Sequence, residues 1–440
     1  MNKTNMENVL VIGGGLMGAS AAWKLAERGA KVTLIEQQEP NYSKGSSYGS
    51  ARITRSLGAK KDVFSYVHNQ TIKEVSNLID FLNAEEKTQV HTMGDVYTTS
   101  PVTYLHPKED YLKVNKYRFK KQKNDYSRAS QNSSFRKFGM TIPKNTFLVR
   151  EKREYSGSLN PTVLIDKLRQ GVTKKGGVIK YQHQVVGLKK NDDVFEVDIL
   201  NLKTKNNQKL KISKVVVAAG AYTTEILKDF APYLNRILTP KKIALSFLRI
   251  KDECYQELNE ASKQALQNGF PFFSQIGKEY FAIISESKNG ASPIIKAGGH
   301  QKRRNIHDLD KIWEEAPTKQ EKKWIKKQFK NHLKMLEIHL SNKDIEEVES
   351  YNCVYSETRT QIPIVTPIFN KYRSLDREIV IIGGMSGIGA KGCLSYGLLA
   401  TDLLLGKDEK PTNMYRKMTR TFSNPSVSLY AKRKKSGRLF

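Results

Sequence analysis

Cysteine is scarce in this chain: Cys254, Cys353 and Cys393 are the three present among 440 residues. An odd number so widely spaced excludes a disulfide scaffold and a paired-cysteine metal knuckle. Long apolar runs are missing too, and nothing approaches the roughly 18 apolar residues that cross a bilayer. Strand-like residues begin by Val9 with no charged-then-apolar leader ahead of them. These absences set the expectation of a soluble protein in a reducing, cytoplasmic compartment. Acid is the other shortage, with 44 Asp and Glu against 74 Lys and Arg and a formal charge of +30. The surplus is local: residues 101–145 hold eleven Lys/Arg against three acids, and residues 411–440 hold eight against none. A lysine-rich helical pattern over 319–340 has Trp324, Phe329, Leu333, Leu336 and Ile338 as its buried side. Such a surface attracts nucleic acid or anionic lipid, steers an acidic substrate, or simply reflects a basic composition. No nucleic-acid-binding motif accompanies the lysines, so no nucleic acid is expected. Contact of the basic tail with a membrane or an acidic partner stays open, as does the oligomeric state.

The strongest positive signal is Val9-Leu10-Val11-Ile12 running into Gly13-Gly14-Gly15-Leu16-Met17-Gly18. A helical pattern follows through Ala21, Ala22, Leu25 and Ala26, and a second apolar strand, Lys31–Ile35, ends at Glu36. Each part has a physical task in dinucleotide binding. Gly13 permits the tight turn, Gly15 lets the backbone approach a pyrophosphate, and Gly18 lets the helix pack on the strand. The helix N-terminus presents free N–H groups to the anion. Glu36 is placed to accept hydrogen bonds from a ribose hydroxyl. A glycine turn of purely structural use would not need the acid.

Further along, Gly45-Ser46-Ser47-Tyr48-Gly49-Ser50-Ala51-Arg52-Ile53-Thr54-Arg55 is a loop of small residues carrying two arginines. Residues 63–83 read as an amphipathic helix, and Asp95–Thr99 as a strand. Residues 106–140, polar and tyrosine-rich, read as an insertion or mobile flap. Asn160-Pro161 opens another helix. Residues 177–181 and 183–188 read as strands, and 194–202 with 209–213 as a hairpin across Asn206-Asn207. Val215–Ala219 ends in Gly220 as a buried strand arriving beside the nucleotide. Residues 241–300 alternate as an antiparallel sheet. The run Ile379-Val380-Ile381-Ile382-Gly383-Gly384-Met385-Ser386-Gly387-Ile388-Gly389 repeats the opening theme and offers a second helix N-terminus to the same cofactor.

With these motifs on the page, the chain resembles the D-amino-acid-oxidase-like family of FAD-dependent oxidoreductases. Within it, it resembles the monomeric sarcosine oxidase and N-methyl amino acid oxidase branch, which includes pipecolate and fructosyl-amino-acid oxidases. Four motifs carry the likeness: Gly13–Gly18 with Glu36, Gly45-Ser46 through Arg52 and Arg55, Cys353-x-Tyr355, and Gly384-x-Ser386-Gly387-x-Gly389-x-Lys391. It covers most of residues 7–408 and thins in 100–145 and beyond 410. The fold it implies is mixed α/β (α+β), with a Rossmann-like FAD-binding domain of the glutathione-reductase type interleaved with an antiparallel-sheet substrate domain. The expected FAD portion is residues 1–90, 146–238 and 360–410. The expected substrate portion is 91–145 and 239–359, with a basic insertion at 100–145 and a basic tail at 411–440.

The resemblance also implies roles. FAD would contact Gly13, Gly15, Leu16, Met17, Gly18, Glu36, Gln37, Gly45, Ser46, Arg52, Val185, Ala219, Gly220, Gly384, Ser386, Gly387, Gly389 and Lys391. Cys353 matches the cysteine that tethers the flavin as a thioether; the alternative is an inert buried thiol. Arg55 and Lys391 match the cations that hold a substrate carboxylate, a guanidinium fork and a point charge. For Arg55 a structural salt bridge is the competing reading. Lys296, in Ile294-Ile295-Lys296-Ala297, matches the lysine that assists electron transfer to O2. His300 matches a pocket histidine, and Tyr355 is a pocket or core tyrosine. Arg52 sits near the flavin ring. Departures occur at Ser47 and Tyr48, where relatives carry histidines, and at Ser50, where they carry an acid.

The implied reaction oxidises the C–N bond of a secondary amine or N-substituted amino acid to an imine, with O2 reduced to H2O2. Its rivals are a flavin dehydrogenase serving a quinone or electron-transfer protein, and a non-catalytic flavoprotein or basic binding subunit. An NAD-dependent dehydrogenase leaves the second glycine turn and Cys353 unexplained.

Overall fold

The computed structural model describes residues 7–41, 45–55, 62–84, 89–109, 126–274, 279–288, 290–299, 304–306, 308–372, 374–406 and 411–423. His300 and residues 424–440 of the basic tail lie outside them, as do residues 110–125 of the basic insertion.

One six-stranded sheet runs in the order Ile364–Phe369, Leu375–Gly383, Lys214–Val217, Asn8–Ile12, Lys31–Ile35, Val178–Lys180. All its neighbours are parallel except the first pair. Strands covered on both faces read as continuous apolar runs rather than alternating ones. Val9–Ile12, Val215–Val217 and Ile379–Ile382 are accordingly all buried. The helices Leu16–Glu27, Asp62–Asn83, Pro161–Lys174 and Cys393–Leu405 pack on one face. On the other lies a three-stranded antiparallel sheet, His183–Asn191, Val194–Asn201 and Asn207–Ile212. The expected start at Asn160-Pro161 is visible in detail: Pro161 opens the helix and the Asn160 side chain accepts from the Val163 N–H.

A second, nine-stranded sheet is antiparallel apart from one parallel pair, Phe272–Ser274 with Thr103–Pro107. Its centre is Leu238–Ile250 between Ile294–Gly298 and Ile345–Thr358. Strand alternation divides its side chains. Ala244, Leu248, Ile250, Ala282, Ile295 and Ala297 face a core closed by Ile325, Phe329 and Leu333 of the helix Lys319–Met335. Ile243, Leu245, Cys353, Tyr351 and Tyr355 gather on the other side. A bulge interrupts this parity. Phe247 pairs with Glu349 but Leu248 pairs with Glu347, which leaves Val348 as an extra residue.

Several sequence expectations change. The segment after residue 106 is not a flap where it is described. Tyr126–Ser130 is a strand on Thr146–Glu151, and Gln131–Phe138 is a helix capped by Gly139 in the left-handed region, φ 65°. Thr146–Glu151 itself, expected in the FAD portion, pairs within the nine-stranded sheet. Asp95 belongs to a short helix, Met93–Val96, closed by a Thr92/Asp95 capping box, and the strand starts at Tyr97. The helices Asp252–Gln256 and Glu260–Gly269 interrupt the strands of 241–300. The start of the expected tail is a docked helix, Asn413–Phe422, burying Tyr415, Met418 and Phe422.

Candidate functional site

A long groove runs along the C-terminal ends of the parallel strands, where open α/β sheets bind ligands. Gly13, Gly15, Leu16, Met17, Glu36 and Gln37 line one end. Val185, Ala219, Gly220, Gly45 and Ser46 line the groove as well. Arg52, Tyr355, Gly384, Ser386, Gly387 and Gly389 close the other end. Gly18 sits behind the turn: a Cβ there would come 1.7 Å from the Gly13 carbonyl oxygen. Gly13 itself has φ +97°.

Glu36 is turned onto the glycine turn itself. Its Oε2 accepts from the Gly14 N–H at 2.7 Å and its Oε1 from the Gln38 N–H at 2.8 Å. Each carboxylate oxygen keeps a second lone pair for a ligand hydroxyl. Arg169, which sequence reasoning passed over, donates to the carbonyls of Gly14 (3.1 Å) and Pro40 (2.9 Å) and fixes the turn from below. Ser47 accepts from the first N–H of the helix, that of Leu16, at 3.0 Å. At the far turn, Ser386 holds φ +48°, donates to the Gly384 carbonyl and accepts from the Thr358 N–H. A Cβ on Gly387 would strike the Tyr355 ring at 2.4 Å. That turn leads through the 3-10 segment Ala390–Gly392 before the helix Cys393–Leu405 begins, so no long helix starts at the glycines. A glycine cradle with the Glu36 carboxylate on one turn, small residues along its length and the Arg52 guanidinium in its lining fits an extended FAD.

At the far end of the groove, Arg52 folds onto its own loop and donates to the carbonyls of Ala51 (2.9 Å), Ser46 (2.8 Å) and Tyr48. Lys296, 3% exposed, donates to the same Ala51 carbonyl at 3.3 Å. Burial, and then the neighbouring Arg52 charge, holds the Lys296 amine well below the ordinary lysine range. The Tyr351 hydroxyl, the Arg52 guanidinium and the Lys296 amine lie 3.4, 3.6 and 3.6 Å from where a Gly49 Cβ would stand. Tyr48 packs its ring on Tyr351 at 5.7 Å. Cys353 is buried on the same sheet face. Burial raises its thiol pKa while Arg52 and Lys296 oppose that shift. Ser46 donates to the Val354 carbonyl and ties the loop to the cysteine strand.

The two expected carboxylate holders are outside the groove's lining. The Arg55 guanidinium lies over the Phe273 ring at 4.6 Å and the Tyr104 ring at 5.2 Å. Tyr104 in turn donates to the fully buried Glu151 at 3.1 Å. Lys391, partly buried, sits in the 3-10 segment, and its carbonyl meets His68 Nδ1 at 3.3 Å. Tyr222 and Trp313, neither expected, also line the groove, with Trp313 donating to the Tyr222 hydroxyl at 3.1 Å.

Comparison with known proteins places this geometry. The profile described as "FAD dependent oxidoreductase", DAO, matches residues 8–403. A protein named "Probable sarcosine oxidase" from Arabidopsis thaliana is 25% identical over 402 residues, covering 90% of this chain and 88% of its own. "N-methyl-L-tryptophan oxidase" from Yersinia pestis is 22% identical over 299 residues, 65% of this chain and 74% of that one. Among solved structures, NikD, described as an unusual amino acid oxidase, superposes with a TM-score of 0.68 at 15% identity. It covers 93% of this chain and 97% of its own.

Proposed function

The chain belongs to the DAO family of FAD-dependent oxidoreductases, and we propose that it oxidises the C–N bond of a secondary amine or N-substituted amino acid bearing a carboxylate, with O2 as electron acceptor. The observation that carries this reading is Lys296. A buried amine that meets a backbone carbonyl and a second cation, Arg52, is costly for the fold and suited to stabilising negative charge on reacting oxygen. The names of the Arabidopsis and Yersinia relatives, a sarcosine and an N-methyl amino acid oxidase, support a secondary amine as substrate.

FAD held by the groove residues would supply the redox chemistry, a two-electron oxidation in which the C–H beside nitrogen gives up a hydride equivalent and the amine N–H a proton, with O2 reduced to H2O2 by the same two electrons and two protons. The protein's own part is binding and charge. The glycine turns at Gly13–Gly18 and Gly384–Gly389 hold the ends of the cofactor. Arg55 and Lys391 take the substrate carboxylate, and Tyr355 lines the pocket. Lys296 and Arg52 supply positive charge on the oxygen side, and Cys353 is the attachment point of the flavin.

The test is a visible spectrum of the purified protein followed by an anaerobic panel of sarcosine, cyclic imino acids, N-methyl amino acids and glycated amines. Bleaching by one of them and rapid recovery in air are expected. Bleaching with slow recovery in air and fast recovery with a quinone identifies the dehydrogenase. A protein that no panel member bleaches overturns the enzyme reading. On acid denaturation the flavin should stay with the wild-type chain and leave the Cys353→Ser variant. Release from both removes the tether.

A further inference from the structure

Helix Asp62–Asn83 carries a buried histidine that none of the preceding chemistry uses. His68 is 1% exposed, and Thr54 beside it is also 1% exposed. Its Nδ1 lies 3.3 Å from the Lys391 carbonyl oxygen and 3.3 Å from Thr54 Oγ1, and its Nε2 lies 3.4 Å from Thr54 Oγ1. A carbonyl can only accept, so Nδ1 carries the hydrogen and donates to Lys391. Nε2 keeps its lone pair, and the Thr54 hydroxyl, nearly equidistant from the two ring nitrogens, lies against the same side of the ring. Burial, which pushes the imidazole down to about 3, keeps it neutral. Both neighbours matter. Thr54 ends the strand Arg52–Thr54 and is followed at once by Arg55. Lys391 is the centre of the Ala390–Gly392 segment.

The helix that presents His68 is itself fixed to the same region. Ser395 donates to the Val67 carbonyl at 2.7 Å, Thr71 meets Ser395 at 3.1 Å, and a Cβ on Gly392 would strike Val67 at 2.4 Å. These contacts hold the helix against the Lys391 segment, and the imidazole is a polar link from there to the arginine strand. We propose that His68 is a positioning residue which sets the separation of Arg55 and Lys391, and so tunes the site for a substrate carboxylate. This deepens the proposed reading and rests on it. A shift of about 1 Å in such a pair can cost on the order of a hundredfold in productive binding.

The experiment is a titration of the FAD-loaded protein with benzoate, followed by the change in its visible spectrum, with benzamide as the uncharged control. His68→Leu should weaken benzoate about tenfold or more and leave benzamide unchanged. His68→Asn, whose amide can replace the Nδ1–H donor, should recover most of the affinity. Thr54→Val, which keeps the shape and removes the hydroxyl, should weaken benzoate in the same direction, and serves if His68→Leu does not fold. Unchanged benzoate binding in His68→Leu, or in Thr54→Val where the leucine variant does not fold, overturns the proposal, as does an equal loss of benzamide. Arg55→Met separates the two levels. If it weakens benzoate while His68→Leu does not, only the positioning role fails. If Arg55→Met has no effect, the carboxylate site itself is wrong and the positioning role falls with it.

Discussion

At the scale of single residues, the sequence was most legible where chemistry and surroundings disagreed. A lysine between Ile295 and Ala297 stands out in an apolar strand, and Lys296 is indeed buried beside Arg52. Replacing it by methionine keeps the length and removes the charge. Lys296→Met should slow reoxidation of the reduced flavin by O2 at least about a hundredfold, with little change in reduction by substrate, as stopped-flow traces of the two half-reactions would report. Equal slowing of both would sink the oxygen-side assignment. Arg169, Tyr351 and His68 were illegible for a common reason. Their partners lie far away in the chain: Arg169 meets Gly14 across 155 positions, and His68 meets Lys391 across 323. A charged or aromatic residue one step from an apolar stripe reads as a solvated flank until the fold supplies its partner.

Among elements, the buried parallel strands and their helices were readable because continuous Val/Ile runs admit few alternatives. Tyr126–Ser130 was not. It is the edge of the nine-stranded sheet, where one ladder is unpaired and polar residues are tolerated, so its pattern looked like a loop. The opening turn makes the element-scale prediction. Gly18→Ala places a methyl 1.7 Å from the Gly13 carbonyl oxygen, a clash that backbone must relieve. The variant should lose about 3 kcal/mol or more of stability and most of its FAD, measured by denaturant titration and by the flavin-to-protein absorbance ratio. Gly29→Ala, at φ +82° but with open space around it, should lose no FAD despite its backbone strain. Equal flavin content in the Gly18→Ala variant and the wild type would refute the close packing.

For the whole molecule, two cores on different sheets each enclose a histidine. His68 belongs to the helical layer, and His332 lies among the rings of Phe270 and Phe272 at 4.2 and 4.1 Å. Burial pushes both down to about 3 from an ordinary 6.5. Below pH 6.5 the unfolded chain takes up protons that the folded one refuses. Stability is therefore fully present above pH 6.5 and is lost as pH falls toward 3, at about 1.4 kcal/mol per pH unit for each histidine. Denaturant titrations from pH 7.5 to 4.5 should record that decline. His332→Leu should reduce the slope below pH 6 by about 1.4 kcal/mol per unit. An unchanged slope would mean that His332 is protonated in the fold.

The bulge at Val348 has a consequence for how this chain can vary. Ile345 and Cys353 are eight positions apart, an even number that an unbroken strand would place on one face. Yet Ile345 pairs with Ile250 on the helix-covered side, and Cys353 pairs with Ile243 on the groove side. The one extra residue reconciles the two. Val348 is 46% exposed, so its side chain carries little information and drift there is cheap. Its presence is another matter, because deleting it would turn Tyr351, Cys353 and Tyr355 away from the groove together, or pull Ile345 out of its core. The position is thus free in spelling and fixed in count, a constraint on insertions and deletions that a comparison of residue identities would not detect.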